Sequence, residues 1–219
     1  MKEFSNNYYD LLTGEYAGIN LTRITDPEDF WNKQIVDSVA PLEQSQVFRD
    51  CLLSNNLHLD VGFGGGFPLL PLAKLNSEVD FLGFEARGKK AKVVNEIALK
   101  LGLTNVSCHH VRLETLIIDL PCSITLKAVG KVNDFLSMIN AKNKVQVFFY
   151  KGPNFQELEK DQIEIAKNAW NIIENREINV QGTDKRYIIG FENKHVPHGT
   201  ITPNKTTTLL SELVNHKKG

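Results

Sequence analysis

Leu57-His58-Leu59-Asp60-Val61-Gly62-Phe63-Gly64-Gly65-Gly66-Phe67-Pro68 is the stretch that decides the fold. Its first five residues read as a buried strand, and the strand runs straight into four glycines within five positions. Glycines at such a turn let the backbone approach a ligand closely and adopt angles that other residues avoid. A dinucleotide fingerprint requires G-x-G-x-x-G, and counted from Gly62 the third glycine falls on Phe67. What fits instead is acidic-x-G-x-G-x-G, on Asp60, Gly62, Gly64 and Gly66. A second strand, Val79 to Glu85, ends in a carboxylate 21 residues beyond Gly64. That is close to the spacing of about 20 at which an acid holds ribose hydroxyls in nucleotide-binding sheets.

Outward from this stretch, short apolar strands alternate with helical segments. Lys89 to Leu101 carries Val93, Ile97 and Leu101 at four-residue spacing, one apolar helix face. Asn105 to His110, Ile124 to Ala128 and Lys144 to Tyr150 read as the third, fourth and fifth strands, with a short helix over Asn133 to Ile139. Phe155 to Ile173 reads as a long amphipathic helix and Tyr187 to Phe191 as a late strand. Such alternation predicts a mostly parallel sheet covered by helices, with ligands at the carboxyl ends of its strands. The first 55 residues suggest helices, one started by Asp26-Pro27-Glu28, with Asp as cap and Pro in the first position. The expected organisation is one domain: a helical cap over 1–55, the sheet domain over 56–194 and a carboxyl-terminal arm over 195–219.

Ordinary globular composition, 42% hydrophobic and 23% charged, excludes disordered and low-complexity classes. No apolar run approaches the ~18–20 residues of a membrane span. Met1 to Leu12 lacks the apolar core of a secretory signal. Three widely spaced cysteines fit neither a disulfide framework nor a zinc site, so the expectation is a cytoplasmic protein without a metal. His109-His110 has no further ligand at suitable spacing. The formal charge of −1 hides an asymmetry: −5 over residues 1–120, +4 over 121–152, −3 over 153–182 and +3 over 183–219. Brought to one face, the two basic segments would track a phosphate backbone.

The acidic-x-G-x-G-x-G pattern resembles the first motif of Rossmann-like, S-adenosylmethionine-dependent methyltransferases. On that reading Asp60 orders the charged amine of the cofactor and Glu85 holds its ribose. Further segments resemble one family specifically: Asn20-Leu21-Thr22, Asp26-Pro27, Ile35-Val36-Asp37-Ser38, Asp60 to Leu72, Arg87-Gly88-Lys89-Lys90, Val111 to Glu114 and Lys151-Gly152. It is the small-subunit ribosomal RNA methyltransferase G family, also called glucose-inhibited division protein B, and the similarity runs over roughly residues 10 to 200. The resemblance implies a class I methyltransferase fold, a mostly parallel α/β sheet with an amino-terminal helical cap. It also implies methyl transfer from S-adenosylmethionine to guanine N7 in the 530 loop of 16S rRNA, within the small ribosomal subunit, with no membrane and no obligate protein partner.

Carried onto this chain, the family's cofactor contacts fall on Gly62, Phe67, Glu85, Ala86, Leu113, Glu114 and Lys127, beside Asp60, Gly64 and Gly66 of the glycine motif. Asn20, Lys127 and Lys151 fall at the reacting centre. Lys89, Arg112, Lys127, Lys151 and Arg186 fall where RNA phosphates arrive. Phe63 or Tyr150 would stack on an extruded base or pack in the core. The sequence departs from the family at Lys127-Ala128, where Arg-Ala is usual, and at Gln34, where the family has His. Lysine keeps the charge but lacks the planar two-pronged fork of arginine. Three other readings share parts of the pattern. A small-molecule methyltransferase would not need the basic segments. A nicotinamide-dependent oxidoreductase is disfavoured by Phe67. An RNA-associated binding module would keep the cofactor pocket without catalysis.

Overall fold

The computed structural model describes residues 1–194 and 207–215. In chain order the elements are α1 (Lys2–Thr13), α2 (Pro27–Phe30), a π-helical turn (Trp31–Val36), α3 (Asp37–Gln44), α4 (Gln46–Ser54), β1 (Leu57–Val61), α5 (Leu69–Leu75), β2 (Asp80–Phe84), α6 (Gly88–Lys100) and β3 (Val106–His109). There follow β4 (Leu116–Ile118), β5 (Cys122–Lys127), α7 (Val132–Leu136), β6 (Asn140–Ala141), β7 (Val145–Lys151), α8 (Phe155–Leu158), α9 (Lys160–Ala166), β8 (Trp170–Ile178), β9 (Arg186–Asn193), β10 (Thr208–Leu209) and α10 (Leu210–Asn215).

The main sheet has the order β3-β2-β1-β5-β7-β9-β8. Its first five strands are parallel, and β9 pairs antiparallel with both β7 and β8. Strand order reverses between β1 and β5, and at that switch point the strand ends open a crevice for a ligand. Alternation along each strand sends side chains to two apolar layers. Phe148 and Tyr150 of β7 join a cluster with α1 to α6, whereas Val145, Val147 and Phe149 join one with α7, α9 and α10. The helices before β1 therefore share a core with one sheet face. Asp26 starts α2 as expected, accepting a hydrogen bond from Asp29 N at 2.8 Å with Pro27 in the first position.

Two elements differ from the sequence reading. Residues 155–173 form no long helix: α8 and α9 are short, and the chain then turns into β8, the edge strand. Leu158 and Ile165, which lie on the apolar side of such a helix, are 73% and 51% exposed. Ile172 and Ile173 are instead branched residues on a strand that pairs with β9 through an irregularity between Ile172 and Glu174. A small second sheet, β10-β4-β6, was not expected. It brings the segment after residue 206 back onto the body, where Ser211 N and Oγ both donate to the carboxylate of Asp119. Residues 195–206 and 216–219, most of the expected arm, lie outside the described residues. Among those described, no helix is long and apolar enough to cross a membrane.

Candidate active site

Gly62, Gly64 and Gly66 have φ of +73°, +56° and +95°, a conformation that side chains with a Cβ rarely adopt. The glycines divide between two tasks. At Gly64 an added Cβ would meet nothing nearer than 4.0 Å, so open space lies above it, while at Gly62 it would come within 3.1 Å of Val129 from the segment after β5. Gly65 and Gly66 face the cap. A Cβ on Gly65 would press on the carbonyl of Leu21, and one on Gly66 would meet the Tyr8 hydroxyl, Leu70 and Val94. Tyr8 is fully buried, and its hydroxyl donates to Gly65 O.

Glu85, at the end of β2, accepts from Gly64 N at 3.2 Å and from Arg87 N at 3.0 Å. A carboxylate has about four acceptor positions, so two backbone donors leave room for more. Leu113 is buried and Glu114 exposed on the turn after β3, where Asn140 Nδ2 donates to Glu114 O at 3.2 Å. Ala86 is exposed, and its carbonyl is hydrogen-bonded to His110 Nε2 at 3.1 Å. His109 stacks beside Phe84.

Two expected cofactor contacts point elsewhere. Asp60 is wholly buried. Its carboxylate accepts from Leu69 N at 3.0 Å and Thr125 Oγ1 at 3.2 Å, bracing β1 against β5 and the start of α5. Burial pushes its carboxyl up to about 7, against hydrogen bonds from Thr125 and Leu69 and the charge of Lys127. His58, beside it and bonded to Ser123 and Thr125, is pushed down to about 3 by burial and stays neutral. The ring of Phe67 stacks on Tyr8, centroids 5.0 Å apart, and packs edge-on to Phe30. It belongs to the cap core because the turn directs it under α1. Phe63 is likewise buried, against Gly83, so it is not available to stack on a base.

Next to the glycine loop, at the ends of β5, β7 and β9, lies a cleft of about 280 Å³, near the small end of the ~300–1,000 Å³ range for ligand sites. Lys33, Gln34 and Asp37 line it from the cap, and Lys127, Ala128, Tyr150, Lys151 and Arg186 from the sheet. The π-helical turn brings the cap residues there: Asp37 N donates to Asn32 O, five residues back, which re-aims Gln34 and Asp37. Asp37 pairs with Lys127 Nζ at 2.6 Å and with Arg186 Nε at 3.2 Å. Lys151 is held by Glu159 at 2.7 Å and by Gly130 O at 2.9 Å. Tyr150 packs on Phe48 and donates to Ser38 O at 2.8 Å, so only its edge reaches the cleft.

The cleft thus brings Lys127, Lys151 and Arg186 together as expected, but not as bare cations for phosphates. Lys151 is 8% exposed and locked to a carboxylate. Of the five cations expected to meet RNA, Lys89 and Arg112, beyond the ends of β2 and β3, are exposed and take part in no ion pair among the described residues. Asn20 is exposed in a left-handed conformation (φ +53°) at the chain segment that covers Gly65. Sequence reasoning missed Asp37 and Glu159 as partners of these lysines. The Asp37-Ser38 pair was visible as a motif, but nothing in linear spacing shows which cations it joins.

Solved structures share this architecture. Magnesium protoporphyrin IX methyltransferase from Synechocystis PCC 6803 superposes with a TM-score of 0.54 at 14% identity, covering 87% of this chain and 99% of that one. An S-adenosylmethionine-dependent methyltransferase from Aquifex aeolicus gives 0.52 at 18%, covering 72% and 95%. These likenesses define the fold as Rossmann-like and of the methyltransferase type. The ribosomal RNA small subunit methyltransferase G of Streptococcus pneumoniae is 30% identical over 93% of this chain and 86% of its own length. That of Lactobacillus johnsonii is 30% identical over 93% and 90%. With residues 1–189 also matching the family model described as rRNA small subunit methyltransferase G, the chain belongs to that family.

Proposed function

We propose that this protein transfers a methyl group from S-adenosylmethionine to N7 of a guanine in the 530 loop of 16S rRNA. The observation that carries this reading is the continuity of two sites at the switch point. Val129 borders Gly62 of the glycine loop, and the preceding Ala128 lines the cation cleft. A cofactor on the loop and a base in the cleft would therefore meet at the end of β5.

The residues present fit the cofactor. Open space above Gly64 is what a closely approaching ligand requires, and Glu85 retains acceptor capacity for ribose hydroxyls. Leu113 and Glu114 would frame the adenine, while Asp60 would act from below by fixing the loop's two ends. When bound, S-adenosylmethionine supplies a methyl group made electrophilic by its sulfonium.

Guanine N7 carries a free lone pair at neutral pH, so the chain need not supply a general base. Its contribution is alignment and exclusion of water, worth up to ~7–11 kcal/mol in favourable cases. Lys127 and Lys151 would hold the base while its N7 lone pair takes the methyl carbon and the carbon–sulfur electrons return to sulfur. The positive charge passes to the purine in that step. Unpaired cations around it would oppose the transfer, and Asp37 and Glu159 offset them. Lys89 and Arg112, exposed beyond the ends of β2 and β3, would meet backbone phosphates, with Asn20 on the segment that covers Gly65. A substrate of this kind would be met in the cytoplasm.

The test uses purified protein, methyl-labelled S-adenosylmethionine and small ribosomal subunits lacking the modification. Labelled 7-methylguanosine in a digest fragment spanning the 530 loop is the expected result. Cofactor binding by calorimetry without any label in RNA would overturn the assignment.

A further inference from the structure

An enzyme that acts on N7 cannot choose between purines at that atom, because adenine and guanine both present it. They differ at position 6, where guanine has a carbonyl acceptor and adenine an amino donor. Resting on the function proposed above, the question becomes which groups of the cleft meet position 6.

The cleft is rich in donors that are partly engaged. Lys127 Nζ has three N–H groups; it donates one to Lys33 O at 3.3 Å and forms an ion pair with Asp37 Oδ2 at 2.6 Å. Lys151 gives one to Glu159 and one to Gly130 O. Among the described residues neither ammonium has a third protein acceptor. Arg186 forms an ion pair with Asp37 through Nε and donates Nη1 to the carbonyls of Asp184 and Lys185, leaving Nη2. Two of the polar groups at the same place are already engaged: each oxygen of Asp37 takes a cation, and Tyr150 points its proton at Ser38 O. Gln34 contributes an amide that can serve N1–H or the 2-amino group of guanine.

Of the two lysines, Lys127 is the better placed. It ends β5 at the switch point, directly before the Ala128-Val129 pair that borders both sites, whereas Lys151 is enclosed by Gly130 and Glu159. We propose that Lys127 determines purine specificity: its remaining N–H donates to O6 of guanine, and the same donor opposes the 6-amino group of adenine. The ion pair with Asp37 and the hydrogen bond to Lys33 O hold the ammonium in place against a wrong base. A site built to hydrogen-bond one substrate group rejects analogues lacking it by up to about 10⁴–10⁵.

The test replaces the target guanosine in rRNA by inosine, 6-thioguanosine or 2,6-diaminopurine riboside. All keep N7. Inosine keeps O6, 6-thioguanosine has only a weak acceptor there, and 2,6-diaminopurine presents a donor. Wild type should methylate guanosine and inosine within about tenfold of each other, 6-thioguanosine roughly tenfold more slowly, and 2,6-diaminopurine at least about 100-fold more slowly. Filter binding of the same RNAs without cofactor should rank guanosine above 2,6-diaminopurine. Lys127→Met should bring the guanosine-to-diaminopurine ratio towards one, and Lys127→Arg should restore it. Equal rates on guanosine and either 6-substituted analogue, or full preference in Lys127→Met, would overturn the inference. A wild type that binds cofactor and methylates none of these RNAs would instead sink the function itself, and this inference with it.

Discussion

The glycine loop and the cation cleft lie side by side at one end of the sheet, yet they are assembled by opposite means. The loop is local: Gly62 to Gly66 form one turn, and its main distant partner at the ligand side is Glu85 on the neighbouring strand. The cleft draws Gln34 and Asp37 from the cap, Lys127 from β5, Lys151 from β7 and Arg186 from β9. Backbone conformation shapes the first, and buried charge pairs shape the second. A loop built from backbone geometry tolerates the loss of one polar contact. A cleft built from paired charges fails when one partner is removed, because a cation is then left buried and alone.

The sharpest way to break the comparison is therefore Asp37→Asn. The carboxylate is nearly buried and joins Lys127, itself 12% exposed, to Arg186. Neutralising it leaves two cations facing each other, and removal of one partner from a buried pair costs about 3–5 kcal/mol. The unfolding free energy measured in urea should fall by that amount, and methylation should drop more steeply than cofactor affinity. A variant with wild-type stability would mean that solvent, rather than Asp37, balances the cleft.

Beneath the loop, Asp60 supplies a prediction in pH. Its folded carboxyl titrates at about 7, raised from an ordinary 3.8 mainly by burial. The folded protein thus holds a proton that the unfolded chain releases near pH 4. The stabilisation linked to that proton is complete below pH 4 and is lost as pH rises to about 7. A rise from 3.8 to about 7 corresponds to about 4 kcal/mol. Asp60→Asn should flatten this part of the pH–stability curve between pH 4 and 7, since its amide can donate to Thr125 while its oxygen accepts from Leu69 N. Urea titrations at pH 4.5 and 7.5 would check it, and an unchanged slope in the variant would exclude Asp60 as the group responsible.

The same contrast explains what the sequence revealed. β1, β2, α6 and β3 were legible because each is an apolar run of the right period bounded by turn residues, and Glu85 followed from spacing alone. The motif's glycines were found, but not their division of labour. Whether a glycine faces ligand or cap depends on α1 and the segment around Leu21, more than 40 residues earlier in the chain. Asp60 reads as a ligand contact in the linear motif and proves to be a brace, because alternation on a strand buried on both faces turns it towards α5. The lysines were found as cations; their partners Asp37 and Glu159 were not, since pairing across a fold leaves no periodic trace. The first residues of β8, Trp170 to Ile173, read as the end of a helix because an edge strand's identity comes from its neighbour β9.

A smaller effect distinguishes the loop's two sides. Tyr8, on α1, reaches under the loop to donate to Gly65 O, and its ring lies on Phe67. Burial, with the nearby Cys108 and Asp60, keeps its phenol well above its ordinary range, so it is a donor at any physiological pH. Tyr8→Phe retains the stacked ring and removes one hydroxyl, leaving a buried carbonyl unsatisfied at a cost of about 1–3 kcal/mol. If the cap sets the loop's shape, cofactor affinity should weaken by about three- to tenfold while RNA affinity, measured without cofactor, stays unchanged. A purely structural hydroxyl would lower the unfolding midpoint and leave both affinities as they were. The Asp37→Asn and Tyr8→Phe variants would then separate cleanly, one disabling the cleft and sparing the loop, the other loosening the loop and sparing the cleft.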